Sequence, residues 1–452
     1  MFCRIANSRE SRNCAVGHPT THIRFTHRTL TPMHTISRSL FIGAVLAAAC
    51  APQKPVTLYP PLAMPPEVRA LWVVRHTLDH PDSIRAMVAR AHESGFNTLI
   101  VQVRGRGDAF YNSRWEPRAA SIVQDPKFDP LALTIKEAHR QGIAVHAWLN
   151  TNFLANMDTT PTDLRHMYQL RPDLIAVPYK LARELYAVDP RDPQFRAKIL
   201  QYSTDFRDHV EGAYMSPAAP ETKEHVYSMW MDVLEHYDVD GINFDYVRYP
   251  GPDYDYSRIS LDRFRLWLVP QLPDSTRARF AAMESDPLVY ADSFPSRYND
   301  FRRAQVTELV ERIYYGVKKR NPNVIVSADV FANAKDAYEN RFQDWPTWLR
   351  RGFLDVAALM AYSTNTQVFR DQIKMAVEAG GRDRVWAGIG AYRQVADSSV
   401  AKIGAAREVG ARGFVLFSYN SAVRPSELNP DGAYLQRVMK AAFPDAGAGK
   451  DH

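Results

Sequence analysis

The stretch DVDGINFDYVRYP, residues 238–250, sets Asn243 and Asp245 into a run that otherwise reads as a buried strand. A carboxylate is costly to bury without a partner, so Asp245 is expected to carry chemistry. Side chains alternate along a strand, which puts Asn243 and Asp245 on one face and Ile242, Phe244 and Tyr246 on the other. The same parity gathers Arg104, Trp148, Asn150, Asp329 and Tyr362 near the C-terminal ends of other apolar runs. Two carboxyls flanked by aromatic faces are what glycoside hydrolysis needs: one gives a proton to the leaving oxygen, and the other attacks or activates water. Asp245 is expected to be the nucleophile or principal carboxylate. Its partner is open among Asp329, which has the right parity, and Glu116 and Asp108, which lie on the loop after the second run.

Arg104, Asp108, Trp148, Asn150, Tyr246, Arg248, Tyr249 and Tyr362 are the expected substrate-binding residues, with parity turning Tyr246 toward the helices. Plainer roles compete with these. Asp245 could be the buried partner of Arg104 or Arg248, Glu116 could anchor its loop to Arg114 or Arg118, and each aromatic could be core. Asp189 and Asp240 adjoin Pro or Gly at element boundaries and read as turn or cap residues. Other chemistries fit less well. His76, His139 and His146 form no HxH or HExxH pattern, so no metal site is expected. No GxSxG elbow is present for acyl transfer, and Gly105 and Gly107 in VRGRGDAFY predict a tight loop rather than a phosphate site. No cofactor is expected.

The elements that must position these residues alternate from residue 69 onward. Apolar runs at 69–76, 97–104, 143–150, 240–247, 324–331, 356–363, 385–391 and 413–420 predict eight strands. Helical patterns lie between them, several opening on Asp or Pro and closing on Gly or Asn-Pro. Eight such units predict an α/β fold of the (β/α)₈ TIM-barrel type, ahead of an open doubly wound sheet, because no Gly-rich turn follows the first strand. Long loops after strands two (105–128), three (151–192) and four (248–295) would all emerge on the C-terminal face. Stability does not require loops of this length, so they point to a groove for an extended substrate. Trp345 and Trp348 stand at helical spacing and are expected to pack a helix on the barrel.

Charge and cysteines bound the rest. Six of the 56 basic residues and one of the 50 acidic residues lie in residues 1–49, so the rest of the chain is close to neutral and nucleic-acid binding is disfavoured. MHTISRSLFIGAVLAAAC, from Met33, has a charged start, a short apolar run, small residues and then Cys50. It resembles a bacterial lipoprotein signal, which implies lipidation at Cys50 and anchoring at the periplasmic face of the envelope, at the outer membrane. Residues 1–49 are therefore expected to be upstream sequence and signal, 50–66 a tether, 67–443 the barrel and 444–452 a tail. Cys3, Cys14 and Cys50 are the only cysteines, so the barrel segment has no disulfide and no thiolate metal site.

Several segments together resemble glycosyl-hydrolase-like family ten: FNTLIVQVRGRGDAFYNSRWEP, DPLALTIKEAHRQGIAVHAWLN, VDPRDPQFRAKIL, YDVDGINFDYVRYP and DWPTWLRRGFLDVAALMAY, in that order. The likeness spans about residues 67–443. It implies a secreted bacterial barrel, often a lipoprotein, acting on peptidoglycan glycan strands stripped of stem peptides. A second likeness fails usefully. Chitinase-type barrels carry DGxDxDxE on the fourth strand, whereas Val247 stands here in place of the final Glu. Asp245 instead falls where amylase-like retaining barrels place a nucleophile. The expected partner is a polysaccharide, with a non-catalytic glycan-binding lipoprotein and a lyase using the same groove as the alternatives. The oligomeric state is not legible from the sequence.

Overall fold

The computed structural model describes residues 64–444. The proposed leader, Cys50, most of the tether and the tail from residue 445 lie outside the described residues. Eight parallel strands close into a barrel: β1 (Val68–Val73), β2 (Thr98–Arg104), β3 (Ala144–Asn150), β6 (Gly241–Asp245), β7 (Ile325–Phe331), β8 (Val356–Met360), β9 (Val385–Gly390) and β10 (Gly413–Phe417). Two short strands, β4 (Phe153–Asn156) and β5 (Gly212–Tyr214), pair antiparallel outside the barrel. The fold is the expected TIM barrel, and every predicted barrel strand is present to within a few residues.

Local chemistry explains the helices between the strands. Asp129 accepts a bond from the Ala132 N–H, with Pro130 at the first helical position of Pro130–Arg140. Asp344 caps Trp345–Arg351 in the same way, and Gly352 closes that helix in the left-handed conformation. Trp345 and Trp348 on this helix are fully buried, as their spacing predicts. Asp240 receives the Val145 N–H and the His139 ring nitrogen, both at 2.8 Å, and so ties the start of β6 to β3.

The barrel interior is filled by large rings beside small residues. Trp72, Trp148 and Trp386 lie among Ala70, Ala358 and Val356. Gly388 is required by close approach: a Cβ there would sit 2.8 Å from the Trp72 ring and 2.1 Å from the Leu359 carbonyl oxygen.

The three long loops emerge where expected, but the one after β3 runs to residue 219 rather than 192. It carries β4, β5 and the helix Pro193–Asp205 before the barrel helix Pro220–His236 begins. One buried ion pair fastens this superstructure. The Arg104 guanidinium lies 2.9 Å from Glu116 Oε1 and donates to the carbonyls of Asn150 and Phe153, while His225 Nε2 lies 2.9 Å from the same carboxylate oxygen. Burial disfavours the charged form of Glu116, yet Arg104 and His225 outweigh it and hold the carboxyl down at about 2.

Removing one partner of a buried pair strands the other. Glu116→Gln should therefore cost about 3–5 kcal/mol of stability, measured by urea unfolding near neutral pH. A change below about 1 kcal/mol would mean that the pair does not hold the loop.

Candidate active site

Asp245 ends β6 at the floor of a cleft of about 740 Å³ on the C-terminal face. Its carboxylate accepts the Tyr246 backbone N–H at 2.7 Å and the Trp148 indole N–H at 3.2 Å. The β3–β6 register sets Asn150 beside Asp245. A chain of side-chain bonds follows from there: Trp148 donates to Asn150 at 2.9 Å, Gln102 to Asn150 at 3.3 Å, and Arg75 to Gln102 at 3.0 Å. Asn150 also donates to the Gly105 carbonyl at 2.8 Å. These bonds leave the Trp148 ring little freedom, so the Asp245 carboxyl is oriented before any ligand arrives.

Several wall residues are aromatic. Tyr362 stands edge-on to Trp72, with ring centroids 6.4 Å apart, and Phe417 and Tyr392 flank it. Opposite them, Tyr246 stacks on Phe153 at 4.8 Å, and the Arg248 guanidinium lies over the Tyr246 ring at 4.5 Å. Flat apolar faces on facing walls suit sugar rings.

Three carboxyls surround this floor in different electrostatic states. Burial pushes Asp245 up to about 6, although Arg248 and the N–H groups of Tyr246 and Trp148 favour its charged form. The β6–β7 register pairs Phe244 with Ala328, which brings Asp329 level with Asp245 on the neighbouring strand, about 4.8 Å away between strand axes. Burial and the charge on Asp245 raise Asp329 well above the usual carboxylate range, so it keeps its proton after Asp245 has lost its own. Asp329 takes the Trp72 indole N–H at 3.2 Å and does not line the cleft. Glu211 does line it. Burial works against the charge on Glu211, but Arg248 at 3.1 Å and the Tyr214 hydroxyl at 2.6 Å hold it below the usual range.

The expected site residues therefore divide. Asp245, Trp148, Asn150, Tyr246, Arg248 and Tyr362 meet at one cleft. Tyr246 arrives there against the parity reading, because the strand ends at Asp245 and Tyr246 adopts a positive φ of 51°, which swings its ring into the opening. Arg104 does not reach the cleft. A register shift between Gln102 and Arg104 leaves Gln102 on the wall and turns Arg104 into its ion pair. Glu116 is buried with Oε1 against Arg104 and His225 and lines no part of the cleft, so the geometry speaks for an anchoring role rather than the expected catalytic one. Tyr249 is also corrected: it is completely buried, edge-on to Phe342 at 5.3 Å. Asp108 faces a second, adjoining cavity. The sequence reading passed over Glu211, Asp158, Arg75, Gln102 and Tyr392, all of which line the cleft. Gln102 shares the inward parity of its strand and was the one within reach. Among the described residues no group of three or more His, Cys, Asp or Glu is placed to hold a metal ion.

Comparison with known proteins agrees with this architecture. The family model described as Glycosyl hydrolase-like 10 matches residues 67–402. The chain is 24% identical over 329 residues to Glycosyl hydrolase YngK of Bacillus subtilis (strain 168), covering 66% of this chain and 54% of that one. It is 24% identical over 286 residues to Glycosyl hydrolase DigH of Escherichia coli (strain K12), covering 59% and 55%. The chain thus spans about half the length of the curated relatives it matches. Among solved structures, the PgaB (BpsB) glycoside hydrolase domain from Bordetella bronchiseptica superposes with a TM-score of 0.53 at 17% identity, covering 83% of this chain and 99% of that one. The catalytic domain of a Paenibacillus polymyxa β-amylase gives 0.55 at 12% identity, covering 84% and 100%. At such identities the likeness is one of fold.

The Asp329 environment has a thermodynamic signature. A carboxyl whose folded pKa is raised binds its proton more tightly in the folded state, so its contribution to stability declines as pH rises above about 4, the unfolded value. Asp329→Asn cannot ionise. Its Tm relative to wild type should therefore climb between pH 4 and pH 8 in calorimetric scans, and a difference that is flat or falls with pH would contradict a protonated Asp329.

Proposed function

The chain belongs to the glycosyl hydrolase-like 10 family, and from that membership and the cleft around Asp245 we propose that it hydrolyses glycosidic bonds in a cell-envelope polysaccharide. Family membership supports a glycosidase kind of function. The observation that carries the finer reading is electrostatic: among the carboxyls that line one aromatic cleft, Asp245 and Glu211 have surroundings that push their pKa values apart.

In this reading Asp245, raised by burial, gives its proton to the glycosidic oxygen as the C–O bond breaks. Glu211, held ionised by Arg248 and Tyr214, either takes a proton from the water that attacks the anomeric carbon or attacks that carbon itself. Asp329 stays neutral behind Asp245 and acts on the site through Trp72 and the shared floor, as a positioning residue. Tyr362, Tyr246 and Trp148 offer faces to sugar rings, while Arg248 fixes Glu211. The proposed substrate is peptide-free peptidoglycan glycan. The resemblance to the family supports this, and so does a leader that reads as a lipoprotein signal ending at Cys50. Cys50→Ala should then release the protein from membranes.

Incubation with peptide-free glycan strands, with products read by mass spectrometry, tests the central reading. Asp245→Asn and Glu211→Gln should each lower kcat/KM by about 10²–10⁴-fold, whereas Asp329→Asn, which preserves neutrality, should stay within about tenfold of wild type. Activity should fall as pH rises through about 6, where Asp245 loses its proton. Cleavage that survives Asp245→Asn, or that increases through pH 6, would remove Asp245 as the acid. Binding without cleavage by the wild type would favour a glycan-binding protein, and anhydro-sugar ends would indicate a lyase.

A further inference from the structure

Next to the main cleft lies a second cavity of about 320 Å³, and Arg75 and Arg106 line both. The two are therefore arms of one groove, divided by a pair of guanidinium groups. Each arm has a volume within the usual range of ligand sites, about 300–1,000 Å³. Phe110, Pro117 and Ala119 give the second arm an apolar lining, and Thr159, Thr160 and Thr162 bring hydroxyls to it. An apolar surface with hydroxyl partners matches one more sugar residue.

Charge distinguishes the two arms. Around Asp245, Arg75, Arg106 and Arg248 face Asp158, Glu211 and Asp245, a balanced set. The second arm has Arg75, Arg106 and Arg118 against Asp108 and Asp163, and Asp163 is already paired with Arg165 at 2.8 Å. His76 and His166 also face this arm, and burial lowers both below the ordinary histidine value, so they add no charge near neutrality. Arg118 is spent on the carbonyls of Ile122, Asp125 and Phe128 and on the Asn112 side chain. Asp108 accepts the Arg106 backbone N–H at 2.8 Å and is not in ion-pair contact with either dividing guanidinium. Arg75 donates to Gln102 but pairs with no carboxylate, and the Arg106 side chain has neither a hydrogen bond nor an ion pair among the described residues.

Two arginines that line the same divide, neither in an ion pair with a carboxylate, repel each other, and a folded chain does not gain from that arrangement. Burial lowers Arg75 most, and the Arg106 charge adds to this, although the nearby Asp108 charge acts the other way. The seat is nevertheless built in. Arg75 lies across Gly105 so closely that a Cβ there would meet its Cδ at 2.6 Å. An anion bridging the two guanidinium groups would relieve the repulsion and use donors that the protein leaves free.

We propose that the groove continues from Asp245 across Arg75 and Arg106 into the second cavity, and that this arm selects a sugar residue carrying a carboxylate substituent. The inference rests on the reading of the main cleft as a glycan site. Arg75 and Arg106 are specificity residues: they contact the substituent, and neither touches the bond that breaks.

The test measures binding apart from catalysis. Full chain carrying Asp245→Asn is titrated calorimetrically with peptide-free peptidoglycan strands, and with the same strands after chemical reduction of their carboxyl groups to alcohols. The reduced strands should bind about 10–100-fold more weakly, as expected for loss of a charge-assisted pair. Adding Arg106→Gln should weaken the untreated strands by a similar factor, so that the two preparations bind alike. Gly105→Ala, which displaces Arg75, should weaken the untreated strands too, in protein whose unfolding remains cooperative. Equal binding of both preparations by the Asp245→Asn chain, equal weakening of both by Arg106→Gln, or no binding of either would overturn the proposal. Wild-type protein separates this from the hydrolase reading. Cleavage of both preparations with equal affinity overturns only the anionic arm, and selective binding without cleavage overturns only the hydrolase.

Discussion

The upper half of this barrel depends on one fully buried cation. Arg104 has no access to water, so its charge has to be balanced by protein. It meets Glu116 from the loop after β2 and the carbonyls of Asn150 and Phe153 from the end of β3 and the start of β4. These contacts set the angle at which the chain leaves β3 for its longest insertion. They also fix the backbone that carries Trp148 and Asn150, the two side chains that orient Asp245. A residue that never touches the cleft thereby determines the cleft's shape.

The electrostatics of the site rest on a second cation, Arg248, shared between two carboxyls. It bonds Glu211 directly and influences Asp245 across the floor. Desolvation acts on both acids, but Glu211 also has the Tyr214 hydroxyl and is partly open to solvent, whereas Asp245 is enclosed. The same cation therefore leaves one acid ionised and the other near neutrality. Asp329 adds a third level, neutral and deeper, held by Trp72, whose ring fits only because Gly388 has no side chain. Core packing and acid–base chemistry are continuous here.

Much of this was legible in the sequence, for definable reasons. Eight barrel strands alternate with helices, and the apolar period is strong in each, so the fold and the inward faces of β3, β6 and β7 could be read directly. Asp245, Trp148, Asn150 and Tyr362 followed from parity. Parity failed wherever the backbone departed from a regular strand: Tyr246 turns left-handed, and the register slips before Arg104. Tyr249 was misplaced because an aromatic residue in a loop carries no periodic signal of burial. Glu211 and Arg75 were missed for another reason. Glu211 precedes a strand of only three residues inside a long insertion, too short to show alternation, and Arg75 lies just past the end of β1. Both reach the cleft through tertiary contacts that no local pattern encodes.

The placement of Glu211 has a consequence for how the site is divided. Asp245 belongs to the scaffold, since it ends a barrel strand and its neighbours are strand residues. Glu211 belongs to an appendage, the two-stranded β4–β5 ribbon, which lies outside the closed sheet. In the proposed reading the barrel supplies one member of the acid pair and the ribbon supplies the other, joined through Arg248. A change confined to that ribbon would then separate cutting a polymer from merely gripping it.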